Sequence, residues 1–153
     1  MANDINSNTE SVLKDVISIL ADGQEGFQAI GEDLEDDTLK RYFLAESLKR
    51  ARFKGELEDV LIKHGYADAF KEGGSFAGSL HRTWGDFKSK MGGGDATLLD
   101  TAEQGEDHAK AAYDKALKAN LPLPIHQLLS EQAAHVQTAH DYVKRARDSR
   151  KAA

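Results

Sequence analysis

Apolar residues return every three or four positions along four long stretches of the chain, the spacing that lines up one face of an α-helix. The first stretch, about residues 9–35, puts Val12, Val16, Ile19, Gly23, Gly26, Ile30 and Leu34 on one line. Ser7 and Glu10 offer a capping box ahead of it. The second, about 38–64, runs through Leu39, Phe43, Glu46, Arg50, Phe53, Leu57 and Leu61, with Asp36 and Asp37 at its start and Gly65 as its stop. The third, about 96–119, follows Asp95 as its cap and reads Leu99, Ala102, Glu106, Ala109, Tyr113 and Leu117. The fourth, about 124–149, opens after "NLPLP" with Pro124 in its first turn. Its line is Ile125, Leu129, Gln132, Val136, Ala139, Val143 and Ala146.

The links between these helices predict a topology. About three residues join the first pair and a short Pro-containing link joins the second, so each pair is expected as an antiparallel hairpin. Some thirty residues, 65–96, separate the pairs. Helices of this length stand roughly 39 Å tall, and a connection of thirty residues can travel that height. The expectation is an all-α, ferritin-like antiparallel four-helix bundle with a long crossover, residues 1–153 forming one domain. Within the crossover, Phe76, Leu80, Trp84, Phe87 and Met91 share a stripe bracketed by glycines, which predicts a short fifth helix over about 75–91. Leu44 and Leu48 form a second apolar row on the second helix, the expected seat of that stripe; a contact between copies of the chain is the competing use of it. The two hairpins also match each other in pattern: Val16, Gly23 and Ile30 correspond to Leu99, Glu106 and Tyr113.

Charge and composition narrow the function. Twenty-six acidic against 20 basic residues give a net charge of −6, which argues against a nucleic-acid partner. The basic residues of "VKRARDSRK" read as a helix end whose cations suit the helix dipole. With no cysteine there is no disulfide, thiolate nucleophile or cysteine metal site. No run approaches the roughly 20 apolar residues that span a membrane, and the first fifteen residues lack a signal-peptide pattern. The expectation is a cytoplasmic protein without a membrane partner.

Four segments, "DGQEGF", "GSFAGSLHRTW", "AEQGEDHAKAAYDKAL" and "AHDYV", together resemble a bacterial family of ferritin-like four-helix-bundle proteins classed as a domain of unknown function. The resemblance covers about residues 10–148. It implies a fold and lends no reaction.

Chemistry concentrates where polar residues interrupt the apolar lines. Ferritin-like di-metal proteins supply a Glu from each of two helices and Glu-x-x-His from each of the others. Here the third helix keeps Glu106, and the fourth offers Gln132-Ala-Ala-His135 with an amide in place of the acid. The second offers Glu46-Ser-Leu-Lys49 with Arg50 beside it, and the first has Gly23. In the metal reading Glu46, Glu106 and His135, with Glu103 as a spare ligand, hold iron or manganese for oxidase or iron-handling chemistry. In the favoured structural reading Arg50 fills the space of the metals. It bridges Glu46 and Glu106, Gln132 completes a buried polar layer, and Gly23 makes room.

Other polar residues carry less. His81, Arg82 and Trp84 flank the crossover stripe; His64, His108 and His126 fall on helix ends or solvated faces. His140 and Asp141, about 100° apart around the helix, are not expected to pair. Glu25 should face water. Glu103 and Glu106 have the spacing of an acid–base pair, without a visible cleft. No catalytic residue or organic cofactor is assigned, and whether the chain is an enzyme stays open. The leading expectation is a non-enzymatic, stress-associated interaction module, with self-association undecided.

Overall fold

The computed structural model describes residues 6–66, 84 and 94–152. Every element among them is helical: α1 (Ser7–Asp33), α2 (Asp37–Lys63), α3 (Gly94–Lys118) and α4 (Leu123–Ala152). They form a four-helix bundle. The expected crossover helix over 75–91 lies outside the described residues, apart from Trp84.

Helix ends follow from local chemistry. Asn6, one residue before the expected Ser7, caps α1 by accepting from the Thr9 amide at 2.8 Å. Asparagine serves this position as well as serine does, and Glu10 pairs with Lys14 at 2.9 Å. Asp36 caps α2 through the Leu39 amide at 2.9 Å. Gly65, with φ of +88°, ends it in a left-handed turn in which Tyr66 N–H bonds Leu61 O at 2.8 Å.

Asp95 has a different role from the expected cap. Its two carboxylate oxygens accept from the backbone N–H groups of Glu35 and Asp36 at 2.9 and 3.0 Å. These amides belong to the turn between α1 and α2, so Asp95 ties the start of α3 to that turn. Arg150, near the end of α4, reaches the same corner with a 3.0 Å bond to Asp36. The starts of α2 and α3 and the end of α4 therefore meet. The register of α4 against α2 is antiparallel: Tyr42 stacks on Tyr142, Glu46 meets His135 and Glu56 meets Gln132.

The core is divided in two. One half gathers Leu13, Val16, Leu20, Leu57, Leu61, Tyr113 and Leu129. The other gathers Phe27, Ile30, Phe43, Trp84, Leu99 and Val143. Along every helix the buried residues between these groups are small or polar, including Gly23, Gly26, Glu46, Arg50, Gly105, Glu106 and His140.

Trp84, the one described residue of the crossover stripe, sits elsewhere than expected. Its indole lies on α1 and α3, away from the Leu44–Leu48 row. A Cβ placed on Gly26 would fall 2.6 Å from Cε3 of the indole, and one on Gly105 would fall 2.5 Å from Cε2. Phe27 meets the ring edge-on at 5.2 Å. Leu44 instead packs over Gly31 of α1, and Leu48 is 73% exposed. The physical reason is room: two glycines make a flat slot for an indole that two leucines on a convex helix face cannot offer.

Trp84→Ala should cost about 3–5 kcal/mol in urea unfolding, the usual range for emptying a buried aromatic site. Gly105→Ala should push out the chain's single tryptophan, shifting its emission to longer wavelength while the helical circular dichroism persists. Unchanged emission in that variant would show that the slot does not set the indole's position.

Candidate functional site

The polar layer between the two core halves is built on helix spacing. Glu46 and Arg50 are one turn apart on α2, so their side chains point to the same side. Arg50 crosses to α3 and meets Glu106 with two parallel bonds of 2.7 Å, from Nη1 to Oε1 and from Nη2 to Oε2. Its Nε donates to Glu46 Oε2 at 2.9 Å. Arg50 is 1% exposed and Glu106 fully buried, so water screens none of these bonds.

Two α1 residues shape the space for the guanidinium. A Cβ on Gly23 would come within 3.3 Å of Arg50 Nη1, tighter than an ordinary contact. Glycine in mid-helix costs roughly 1 kcal/mol relative to alanine, and the passage of Arg50 accounts for it here. Phe27 presents its ring face to the guanidinium carbon at 4.9 Å, a cation–π contact.

Two buried carboxylates against one guanidinium leave a surplus of negative charge, and α4 supplies a further donor. His135 Nε2 lies 3.0 and 2.9 Å from the two oxygens of Glu46. A carboxylate acceptor requires the tautomer with hydrogen on Nε2. The Phe53 ring, edge-on at 5.3 Å, holds the imidazole. Burial alone would raise the Glu46 pKa; the His135 hydrogen bond and the Arg50 charge outweigh it and leave the carboxyl below its ordinary 4.5. Burial likewise works against the Arg50 cation, and Glu106 followed by Glu46 reverses it, so its pKa is raised.

Gln132 is buried yet does not bond Arg50. In the antiparallel register it stands one turn further along α2, where Nε2 donates to Phe53 O at 3.2 Å and Glu56 at 3.0 Å. Its Oε1 accepts from the Tyr113 hydroxyl at 2.8 Å. The layer expected from Arg50, Glu46, Glu106 and Gln132 is thus two adjoining networks, with His135 in the place expected of Gln132.

Glu103 turns away from this cluster. It forms an ion pair with Arg147 of α4 and lies 3.9 Å from His140. His140 meets Asp107 at 2.8 Å and also Asp141 at 3.2 Å, against the expectation that neighbours on a helix stay apart. The imidazole spans the 100° between them because its two nitrogens point in different directions. Among the described residues no group of three or more His, Asp or Glu side chains is arranged to hold a metal ion. Glu25 is exposed, whereas Asp22, which the sequence reading passed over, is buried beside Gly23. Its spacing to Ile19 and Gly26, three and four residues, was the available signal.

Fold and site together define a four-helix-bundle protein with a charged layer at mid-height. A family model described as "Domain of unknown function (DUF2383)" matches residues 8–119, and the chain belongs to that family. The matched segment carries Gly23, Glu46, Arg50 and Glu106, while α4 with Gln132 and His135 lies beyond it. No curated protein matches the chain.

Arg50→Leu should destabilise the fold by about 3–5 kcal/mol, since the carboxylates keep the cost of burial after losing their cation. Adding Glu46→Gln and Glu106→Gln should recover much of that loss in denaturant titrations. A triple variant as weak as the single one would place the damage in packing instead.

The depressed Glu46 pKa gives a direction with pH. A carboxyl with a lower pKa in the folded state contributes its stability above the unfolded value, near 4.5, and loses it as pH falls through the lower folded value. Unfolding midpoints should therefore drop in acid below pH 4.5, and Glu46→Gln should flatten part of that slope. An unchanged slope would remove Glu46 from the acid response.

Proposed function

We propose that this chain is a ferritin-like bundle, cytoplasmic and non-enzymatic, in which an arginine–glutamate layer stands where metal-binding relatives of the architecture hold ions. It acts as an interaction module through its outer surface. The observation that carries this reading is the two-bond pairing of Arg50 with Glu106 and its third bond to Glu46. A guanidinium and a divalent ion compete for the same carboxylates. Metal entry would require expelling a buried cation from a slot shaped by Gly23 and Phe27.

The ferritin-like assignment draws support from the meeting of the α2 and α3 starts at Asp95, so that these two helices run parallel, as in bundles of that kind. No helix among the described residues is long and apolar enough to cross a membrane. On the outer surface, Leu48 and Ile62 of α2 are apolar side chains open to solvent, available to a protein partner. The alternative, a metal-binding bundle with oxidase or iron-handling activity, has one favourable contact, the close approach of His135 to Glu46.

Titration of the untagged protein with Fe(II), Mn(II) and Zn(II) separates the two. The proposal expects no stoichiometric binding at the layer. One or two ions bound per chain, lost in Glu106→Ala and His135→Ala, would overturn it in favour of the metal reading.

A further inference from the structure

Tyr42 of α2 and Tyr142 of α4 make a contact unlike the other ring pairs among the described residues. Those meet edge to face, whereas these two stack with centroids 3.7 Å apart and planes 14° from parallel. At that separation the two ring faces are in van der Waals contact. Both side chains are half-buried, so solvent reaches the pair, and both lie on helices fixed at either end of the stack. Glu46 one turn from Tyr42, and Val143 beside Tyr142, are buried in the layer and the core. The geometry is held before any reaction begins.

We propose that Tyr42–Tyr142 is an oxidative cross-linking site, a preformed pair that a one-electron oxidant converts into a dityrosine bond joining α2 to α4. The oxidant class is peroxide turned over by a haem peroxidase, acting twice. Each phenol gives one electron to the oxidant and its hydroxyl proton to water. The two tyrosyl radicals then share their unpaired electrons in one carbon–carbon bond between positions ortho to the oxygens. Each of those carbons releases its hydrogen as a proton, and each oxygen takes one back to restore the phenol. Overall the pair loses two hydrogen atoms and one hydrogen peroxide becomes two waters.

The surroundings fit this chemistry. The stacked arrangement holds in contact the two π systems over which the unpaired electrons spread. The chain has no cysteine to intercept the oxidant. Of the other tyrosines, Tyr113 is buried and donates its hydroxyl to Gln132, and Tyr66 lies past the end of α2. The bond would connect α2 and α4, helices otherwise linked through side chains such as His135–Glu46 and Gln132–Glu56. It would close a long loop of chain and so restrict the unfolded state, as a disulfide does.

The test treats dilute, full-length protein with horseradish peroxidase and hydrogen peroxide, in buffer and in urea. Folded protein should give a species that runs as one chain on a denaturing gel and is lighter by two hydrogen atoms. It should show dityrosine fluorescence and yield a linked proteolytic peptide pair containing Tyr42 and Tyr142. Its thermal midpoint should rise. Tyr42→Phe and Tyr142→Phe, which keep a ring in the stack, should each abolish the product, and urea should abolish it in the unsubstituted chain. The proposal is overturned if free tyrosine couples in the same reaction while the folded chain does not. It is equally overturned if the intrachain product persists in either Phe variant or joins other tyrosines.

Discussion

The Arg50 guanidinium, bonded twice to Glu106 and once to Glu46, is the constraint around which the bundle is arranged. Its fork must face a carboxylate on α3 while its Nε points back along α2, and few relative positions of two helices satisfy both. A buried ion pair adds little net stability over a well-packed apolar core. It does select register strongly, because a slip by one turn would set the cation against Ala102 or Ala109 of α3 in place of Glu106. Gly23, the Phe27 ring and the His135 imidazole each answer one need of this group: space, a negative π face and a donor for the second acid.

A second constraint acts on the neighbouring turn. Gly26 and Gly105 give the Trp84 indole a flat seat between α1 and α3, and Trp84 meets Phe27, whose ring lies under Arg50. The same ring thus joins the apolar half of the core to the charged layer. At the end of the bundle Asp95 plays a comparable part for the backbone, gathering two amides of the α1–α2 turn that no helix satisfies.

Much of this was legible in the sequence. The four helices follow from the three-to-four spacing of residues such as Val16, Leu57, Tyr113 and Leu129, and the stops from Gly65 and the Pro-containing link. Glu46, Arg50 and Glu106 showed themselves because charged residues stood on apolar lines, and Gly23 because a glycine stood opposite a long side chain. What stayed hidden depends on the register between helices, which periodicity does not encode. Whether Gln132 or His135 meets Glu46 is decided by a one-turn offset between α2 and α4. The Tyr42–Tyr142 stack needs the same offset. Asp95 read as a helix cap because its sequence context is that of one, and only the meeting of three helix ends reveals its other partners. The seat of Trp84 was missed for a related reason: an apolar row was sought, while a pair of glycines a long way apart in sequence provides it.

The most direct test of the central claim is the nitrogen-15 spectrum of the arginine side chains, recorded with and without Mn(II). The Arg50 Nε–H signal, assigned by its loss in Arg50→Lys, should exchange slowly with solvent and stay sharp when the paramagnetic ion is added. Such a signal belongs to a guanidinium locked between two buried carboxylates. Rapid exchange, or selective broadening by Mn(II) at stoichiometric amounts, would contradict the account, since it would mean that the carboxylates are free to take a metal.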